Sequence, residues 1–249
     1  MMDNATTIHL AFQFALASTA ALIISHMICV GVVMHYDLSG KWDEYKLHKS
    51  RNVSLQDYTK GMKNFAKDLV LLFIPSMTLC YSMRVSEIKD SSDTILQSLT
   101  KLICGYILGK IWAFAVHYAL HHPSLYQYHR KHHGHPAQLV AARAWEDSLV
   151  EYAIMEIPSF AMTVLLFPTH LWVHLLHFCF HGYDGAAGHS GFGGVPGIMG
   201  FLFDGTYHYH HHARLTVNYA ELEFLDLWCG THHTQKKVPK PFNNGKTRF

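Results

Sequence analysis

A 24-residue apolar run near the start of the chain sets the first constraint on its fold. The segment from Leu10 to Val33 contains no Asp, Glu, Lys or Arg. As an α-helix it would be about 36 Å long, which is enough to cross the hydrocarbon core of a bilayer. No basic residue precedes it, and it is longer than the apolar part of a secretory signal. We therefore predict a permanent membrane anchor.

Further apolar segments predict a helical bundle in addition to this anchor. One of them is interrupted by Pro158 and Pro168, which favours two short half-helices folded as a re-entrant hairpin. We therefore expect an all-α integral membrane protein with about four transmembrane or re-entrant helices. The additional segments are Leu69 to Met83, Leu102 to Leu120 (with Ile95 to Thr100 as added turns) and the interrupted Tyr152 to Phe180.

The basic residues between these segments orient the bundle. Residues 1–9 contain no Lys or Arg, residues 35–68 contain seven, and residues 84–94 contain two. The positive-inside rule then places residues 35–68 in the cytosol. With a hairpin at residues 152–180, all of the dense histidine clusters fall on the same side. The sequence thus predicts a cytosolic, histidine-rich helical cap.

Composition excludes several classes of function. Charged residues make up 15% of the chain, against roughly 25% in an average soluble domain. The formal net charge is +2, which gives no footprint for nucleic acid. The five cysteines contain no Cys-x-x-Cys pair, so a disulfide framework or a thiolate zinc site is not expected.

Histidine is the outlier of the composition. The chain has 22 histidines against 20 Lys and Arg together, and sixteen of them lie between His117 and His212. The spacing His-x-x-His-His occurs twice, and on a helix these positions form one stripe. Two such turns facing each other supply six imidazole nitrogens. His117 supplies a seventh, and either His121 or His122 supplies an eighth. The two triplets are His129, His132 and His133, and His208, His211 and His212.

Eight imidazoles exceed the four to six ligands that one metal accepts, so the count predicts two metal ions. Imidazole suits Zn, Cu, Fe and Ni, and a structural zinc site needs only four ligands. Zinc also has no redox chemistry. A repeat of this kind at a cytosolic membrane face favours an iron pair that activates O2, while spacing alone leaves copper open. Helical spacing adds His177 and His181 as further candidate ligands.

These motifs resemble those of the fatty acid hydroxylase and sterol desaturase superfamily of membrane non-haem di-iron oxygenases. The resemblance covers roughly Trp112 to Thr231 and includes His189-Ser190-Gly191-Phe192. Tyr118 and Tyr209 stand where the family often has Arg and Asp. The matching boxes are His117-Tyr118-Ala119-Leu120-His121-His122, Tyr128-His129-Arg130-Lys131-His132-His133, and His208 to His212, followed downstream by Asn218-Tyr219, Asp226 and Gly230-Thr231.

The resemblance implies a cytosolic catalytic cap at the endoplasmic reticulum and O2-dependent hydroxylation or desaturation of a lipid C–H bond. It also implies electrons from NAD(P)H through a separate reductase and a cytochrome b5-type carrier. No catalytic residue beyond the metal ligands is predicted. The predicted ligands are His117, His121, His122, His129, His132, His133, His189, His208, His211 and His212, with His177 and His181 resting on helical spacing alone.

Two alternatives stay open at the level of sequence. A membrane lipid desaturase would use the same di-iron chemistry, and a non-enzymatic histidine-rich transporter or buffer would only bind metal. Glu146, Asp184 and Asp226 are carboxylates that could orient ligand imidazoles, with Glu146 expected in solvent. We expect anchor helices and a basic cytosolic loop in residues 1–94, a fatty acid hydroxylase-like catalytic domain in 95–235, and a basic mobile tail in 236–249.

Overall fold

The computed structural model describes residues 3–134 and 139–235, and within these ranges the chain is helical and contains no β-strand. The predicted basic tail at 236–249 lies outside the described residues. The helices are α1 (Asn4–Ser39), α2 (Leu55–Lys89), α3 (Ile95–Leu120), α4 (Tyr126–His133), α5 (Leu149–Leu166), α6 (Leu171–Gly188), α7 (Gly197–Phe203), α8 (Thr206–Arg214) and α9 (Glu223–Cys229).

Four of the described helices are long and apolar enough to cross a membrane, namely α1, α2, α3 and α5. This confirms the prediction of an all-α membrane protein with about four such helices. Helix α2 begins at Leu55, where Ser54 and Asp57 form a capping box. The predicted basic loop at residues 35–68 is therefore mostly helical, and only residues 40–54 connect α1 to α2.

Two prolines lie inside α2 and α5 without ending either helix. Pro75 follows a π-helical turn at Leu69–Phe73, and Pro158 follows one at Tyr152–Glu156. Proline lacks an N–H, and its ring presses on the carbonyl of the preceding helical turn. A wider π turn just before the proline changes that spacing. The expectation that Pro158 breaks the helix is therefore wrong.

The second break, at Pro168, does separate two helices. The turn at residues 167–170 lies beside the start of α3, because Lys101 donates to the Pro168 carbonyl at 2.9 Å and His170 Nε2 lies 2.9 Å from the Asp93 carbonyl oxygen. His117, one of the predicted metal ligands, lies near the other end of α3. The predicted hairpin is present, but its arms run the length of the bundle instead of being half-helices.

Helix α1 packs against α2 and α6, and α3 packs against α5. Aromatic rings fill the centre of the bundle, where Phe73 contacts Phe160 and Phe178 edge to face, each at 5.3 Å between ring centroids. Helices α1 and α6 approach closely at Gly182. A Cβ there would lie 2.6 Å from the Leu22 carbonyl oxygen, so this contact between backbones requires glycine.

A buried ion pair links the end of α1 to the α1–α2 connection and to the segments around Leu139 and Ser190. Arg51, in the α1–α2 connection, donates to both oxygens of Asp37 at 2.5 and 2.7 Å, and both side chains are 1% exposed. The same guanidinium donates to the carbonyls of Leu139 and Ser190, and Tyr58 donates to Asp37. The connection between α1 and α2 is thereby fixed to the residue that follows His189.

Candidate metal centre

The two histidine triplets lie on short helices, α4 and α8, as their spacing predicts. Helix α4 follows the end of α3 after a turn of five residues, so the first triplet lies close to His117. His129 and His211 are fully buried, and His133 and His212 nearly so. The described histidines of the two triplets, together with His117, His121 and His189, divide into two groups.

Group one contains five imidazoles contributed by α3, α4, α8 and the turn after α3. One ring nitrogen of each lies within 4.8 Å of those of the others. The Nε2 atom of His133 is central, at 3.0 Å from Nε2 of His121, 2.8 Å from that of His129 and 3.2 Å from that of His211. The members of group one are His117, His121, His129, His133 and His211.

Group two contains four imidazoles that meet the same criterion: His132, His189, His208 and His212. Nε2 of His189 lies 3.0 Å from Nε2 of His208 and 3.3 Å from Nε2 of His132. Nε2 of His212 lies 2.9 Å from that of His208. Each triplet is therefore divided, since α4 and α8 both contribute to both groups.

Acceptors on the outer side of the rings fix which nitrogen carries the proton. In group one, Nδ1 of His117 lies 2.6 Å from the Tyr219 carbonyl oxygen, and Nδ1 of His211 lies 2.7 Å from the Val217 carbonyl oxygen. In group two, Nδ1 of His189 lies 2.9 Å from the Gly185 carbonyl oxygen. A carbonyl can only accept, so these Nδ1 atoms donate and the Nε2 atoms keep their lone pairs.

Burial favours the neutral ring at five members of the two groups. It lowers the pKa of His121 to about 2, with the neighbouring His117 and His132 adding to the effect. Burial also lowers the pKa of His133 and His211 in group one, and of His189 and His212 in group two, well below the ordinary value. The neutral ring is the form that binds metal ions.

The donor set fits transition-metal ions. His132 and His189 both donate from Nδ1, so their Nε2 lone pairs face each other at 3.3 Å, which is repulsive. A cation between them would convert this repulsion into an attraction. Nε2 of His117 is also buried without a hydrogen-bond partner, as expected for a nitrogen reserved for a ligand. Nitrogen-only groups of this size suit Fe, Cu, Ni or Zn.

Two carboxylates that sequence reasoning missed hold the imidazoles of α4. His129 Nδ1 contacts Glu151, which is fully buried, and His132 Nδ1 lies 3.0 Å from Asp147 Oδ1. Glu151 belongs to the capping box that starts α5 with Ser148. That local pattern is visible in the sequence, but its contact with α4 is not. Carboxylates in this position orient ligand rings and raise their basicity.

The carboxylates named from the sequence have other partners. Glu146 is buried instead of solvated, and it pairs with Arg143 and Lys60. Asp184 accepts from Tyr106. Neither carboxylate contacts a histidine of group one or group two among the described residues.

Asp226 acts on the centre through the backbone. It is fully buried and accepts hydrogen bonds from the backbone N–H of Tyr219 and of Ala220, at 3.0 and 2.7 Å. Asn218, with a φ of 53°, donates from its side chain to the Tyr207 carbonyl. These bonds shape the loop whose Val217 and Tyr219 carbonyls hold His211 and His117. The Asn-Tyr and Asp elements of the sequence thus position two imidazoles.

Three of the predicted ligands lie outside both groups. His122 is exposed, and its Nδ1 lies 2.8 Å from Ser124 Oγ. His177 and His181 are buried inside the bundle on α6, where His177 lies 3.2 Å from Thr163 Oγ1 and His181 packs edge to face on Phe160. The other nine predicted ligands are brought together.

A cavity of about 350 Å³ opens beside both groups. His117, His132, His189 and His208 form one wall, so each group reaches the same space. Apolar side chains including Phe114, Met155, Phe201 and Leu202 form another part, and polar groups on α3 and α6 form a third. The cavity therefore brings both histidine groups to one space that has apolar as well as polar walls.

The structure thus combines a helical bundle that can span a membrane with two adjacent polyhistidine groups that could hold metal ions, beside one cavity. Comparison with known proteins makes this specific. The chain belongs to the fatty acid hydroxylase family, whose model matches residues 102–231. The resemblance found in the sequence is thereby confirmed, and the matched region contains every member of both groups.

Two curated relatives support this membership. Fatty acid hydroxylase ahd1 of Mycosarcoma maydis is 28% identical over 238 residues, which cover 92% of this chain and 59% of the relative. Methylsterol monooxygenase 1-1 of Arabidopsis thaliana is 25% identical over 214 residues, covering 80% of this chain and 71% of the relative. The chain thus spans about three fifths of the first relative's length. No solved structure matches the chain.

Proposed function

We propose that this protein is an O2-dependent lipid-modifying oxidoreductase that hydroxylates a C–H bond of a sterol or fatty-acyl type lipid at a di-iron centre. One iron would be held by group one and the other by group two. The observation that carries this proposal is the convergence of nine imidazoles into two adjacent nitrogen-only groups that open onto one cavity with apolar and polar walls.

Iron bound in these groups would supply electron transfer to O2 and hydrogen removal from an unactivated carbon, so that one oxygen atom enters the lipid and the other leaves as water. The protein's own residues fix the geometry. Glu151 and Asp147 hold the rings of α4, and the carbonyls of Val217 and Tyr219 hold His211 and His117. The apolar walls position the lipid and exclude water.

The names of the two relatives indicate the class of substrate and reaction that we propose. One is called a fatty acid hydroxylase and the other a methylsterol monooxygenase, which favours insertion of oxygen into a lipid. Desaturation starts from the same hydrogen removal, so it is the alternative outcome at the same site. Product mass separates the two, since hydroxylation adds one oxygen atom and desaturation removes two hydrogens.

Electrons would come from NAD(P)H through a separate reductase and a cytochrome b5-type carrier. We place the protein in the endoplasmic reticulum with the histidine cap on the cytosolic face. Support comes from the connection at residues 40–54, which carries Lys41, Lys46, Lys49 and Arg51 at the same end of the bundle as the metal centre. Basic connections of this kind stay in the cytosol.

Metal analysis and turnover of purified protein test the proposal. Full-length protein should contain about two irons per chain, in keeping with the ligand numbers that each metal takes, and it should convert a lipid with consumption of O2. His211→Ala removes a ring from the buried core of group one, and we expect it to lose iron and turnover. His122→Ala is the matched control, because His122 is exposed and contacts neither group.

Three outcomes would overturn the proposal. They are stoichiometric zinc or copper in place of iron, full turnover by His211→Ala, and zinc transport into vesicles without lipid oxidation. The last would favour a transporter, although transport sites are usually found on broken helices near the bilayer midplane. The two groups lie instead at one end of the bundle, on α4, α8 and the end of α3.

A further inference from the structure

A cluster of charged and polar side chains forms the cavity wall away from the histidines. Its centre is Lys110 on α3, of which only 2% is exposed. Lys110 donates to Glu221 and lies 3.5 Å from Asp184 Oδ2, while Tyr106 donates to Asp184. All four side chains line the cavity. A lysine inside a candidate membrane span that is tied to two carboxylates faces the protein interior and marks function.

This cluster is rigidly connected to the metal centre. Lys110 precedes His117 by seven residues on α3, which is two helical turns or about 10 Å of helix axis. Asp184 precedes His189 by five residues along α6, and Glu221 follows Tyr219, whose carbonyl holds His117. Each element that supplies the cluster therefore also positions a candidate metal ligand, so a lipid held by the cluster would be presented to the centre at a fixed depth.

The hydrogen-bond donors on the cavity wall already have acceptors. Tyr106 donates to Asp184, Tyr183 to the Leu202 carbonyl, and Tyr207 to Asp226. The Trp145 indole donates to His26, and Lys110 is covered by its two carboxylate partners. Among the described residues that line the cavity, the remaining non-histidine side chain with a donor is Tyr219, which donates to the Leu215 carbonyl.

Acceptor capacity on this wall exceeds donor capacity. Asp184 and Glu221 each have two oxygens, and their side chains are 29% and 48% exposed. Asp204 lines the same cavity. Lys110 supplies the one ammonium group among these lining residues, so carboxylates outnumber cations. A bound group that donates a hydrogen bond is favoured here, whereas an ionised carboxylate meets like charge on a wall whose tyrosine, indole and ammonium donors already have acceptors.

We propose that the Lys110–Asp184–Glu221 cluster is a polar-end subsite that selects lipids ending in a hydroxyl group over free fatty acids. Asp184 and Glu221 accept the hydroxyl hydrogen, and Lys110 holds the two carboxylates in place. This inference rests on the proposed function and narrows its substrate class. It also assigns specificity to residues that do not belong to either histidine group.

Ligand competition on the full-length protein tests the subsite. Hexadecanol and hexadecanoate have the same chain length and differ at the polar end, and each would displace a fluorescent long-chain alcohol at mildly alkaline pH. Wild type should bind the alcohol about tenfold or more tightly than the acid, the worth of one hydrogen bond to a charged acceptor. Glu221→Gln should cut this preference about tenfold, because it removes a negative charge and adds a donor. Asp184→Asn should do the same.

Glu87→Gln is the matched control, because Glu87 is an exposed carboxylate near the far end of α2 and pairs only with Arg84 among the described residues. It should keep the wild-type preference. The proposal is overturned if wild type binds hexadecanoate as tightly as hexadecanol, or if both cavity variants keep the wild-type ratio while folded. Binding is measured without turnover, so a protein lacking iron or activity would sink the proposed function and leave this ratio to decide the subsite.

Discussion

Replacing Asp226 by Asn tests how the loop before α9 holds the metal centre. Its Oδ1 accepts from the Tyr219 N–H at 3.0 Å and the Thr231 hydroxyl at 2.5 Å, and its Oδ2 accepts from the Ala220 N–H and the Tyr207 hydroxyl, both at 2.7 Å. Whichever way the amide turns, its NH2 faces two donors. The hydroxyl can turn and accept from the NH2 group, but the buried backbone N–H on that side loses its acceptor, at about 1–3 kcal/mol. We therefore expect a loss of roughly 1–3 kcal/mol in unfolding free energy.

We expect Asp226→Asn to weaken iron binding in group one more than in group two. The loop that Asp226 shapes carries the carbonyls of Val217 and Tyr219, which hold His211 and His117. Both of those histidines belong to group one. Iron per chain should therefore fall by about half or more, together with a lower thermal unfolding temperature in detergent. Metal analysis and a fluorescence melting curve measure the two effects on one preparation.

Glu223→Gln provides the comparison, because Glu223 lies in the same segment but its side chain is 60% exposed. Surface substitutions of this kind change stability by about 0.5 kcal/mol or less. If Asp226→Asn kept both the iron content and the unfolding temperature of wild type, the role assigned to this loop would be wrong.

Further substitutions and metal removal address other parts of the structure. Glu151→Gln should weaken iron binding by about 10- to 100-fold, because the partner of His129 loses its charge; chelator competition measures this, and unchanged affinity would contradict it. Gly182→Ala should lower stability by about 1–3 kcal/mol, since its Cβ would lie 2.6 Å from the Leu22 carbonyl oxygen; an unaltered melting curve would refute the close approach. His122→Ala should leave iron content and turnover unchanged, and loss of either would place it at the centre. Stripping iron with a chelator should lower the unfolding temperature and ferrous iron should restore it, because a ligand that binds the folded state stabilises it; no shift would argue against a structural contribution of the metal.

The sequence predicts the helices well because their signals are local. The uncharged run from Leu10 to Val33 is enough to predict α1, which extends over Asn4–Ser39. The sequence predicts a break at Pro158, but α5 continues through it because a π turn precedes the proline. Local sequence gives no signal for that π turn. The hairpin at Pro168 was foreseen, but the length of its arms follows from contacts with the start of α3.

The candidate ligands could be named from spacing, but their grouping could not. The spacing of His129, His132 and His133 predicts that they share one face of a helix. It does not predict which other residues that face contacts. Only the docking of α8 and the end of α6 separates His132 from its neighbours. The partners Asp147 and Glu151 were missed for the same reason, since they approach α4 only when α5 packs beneath it.

The division of each triplet between the two groups has a mechanical consequence. His132 and His133 are consecutive on α4, and His211 and His212 are consecutive on α8, yet each pair is shared between the groups. The distance between metal ions bound in the two groups would thus be set by the backbone of single helical turns of α4 and α8. We expect a change that loosens one group also to weaken metal binding in the other, because α4 and α8 both contribute to both groups.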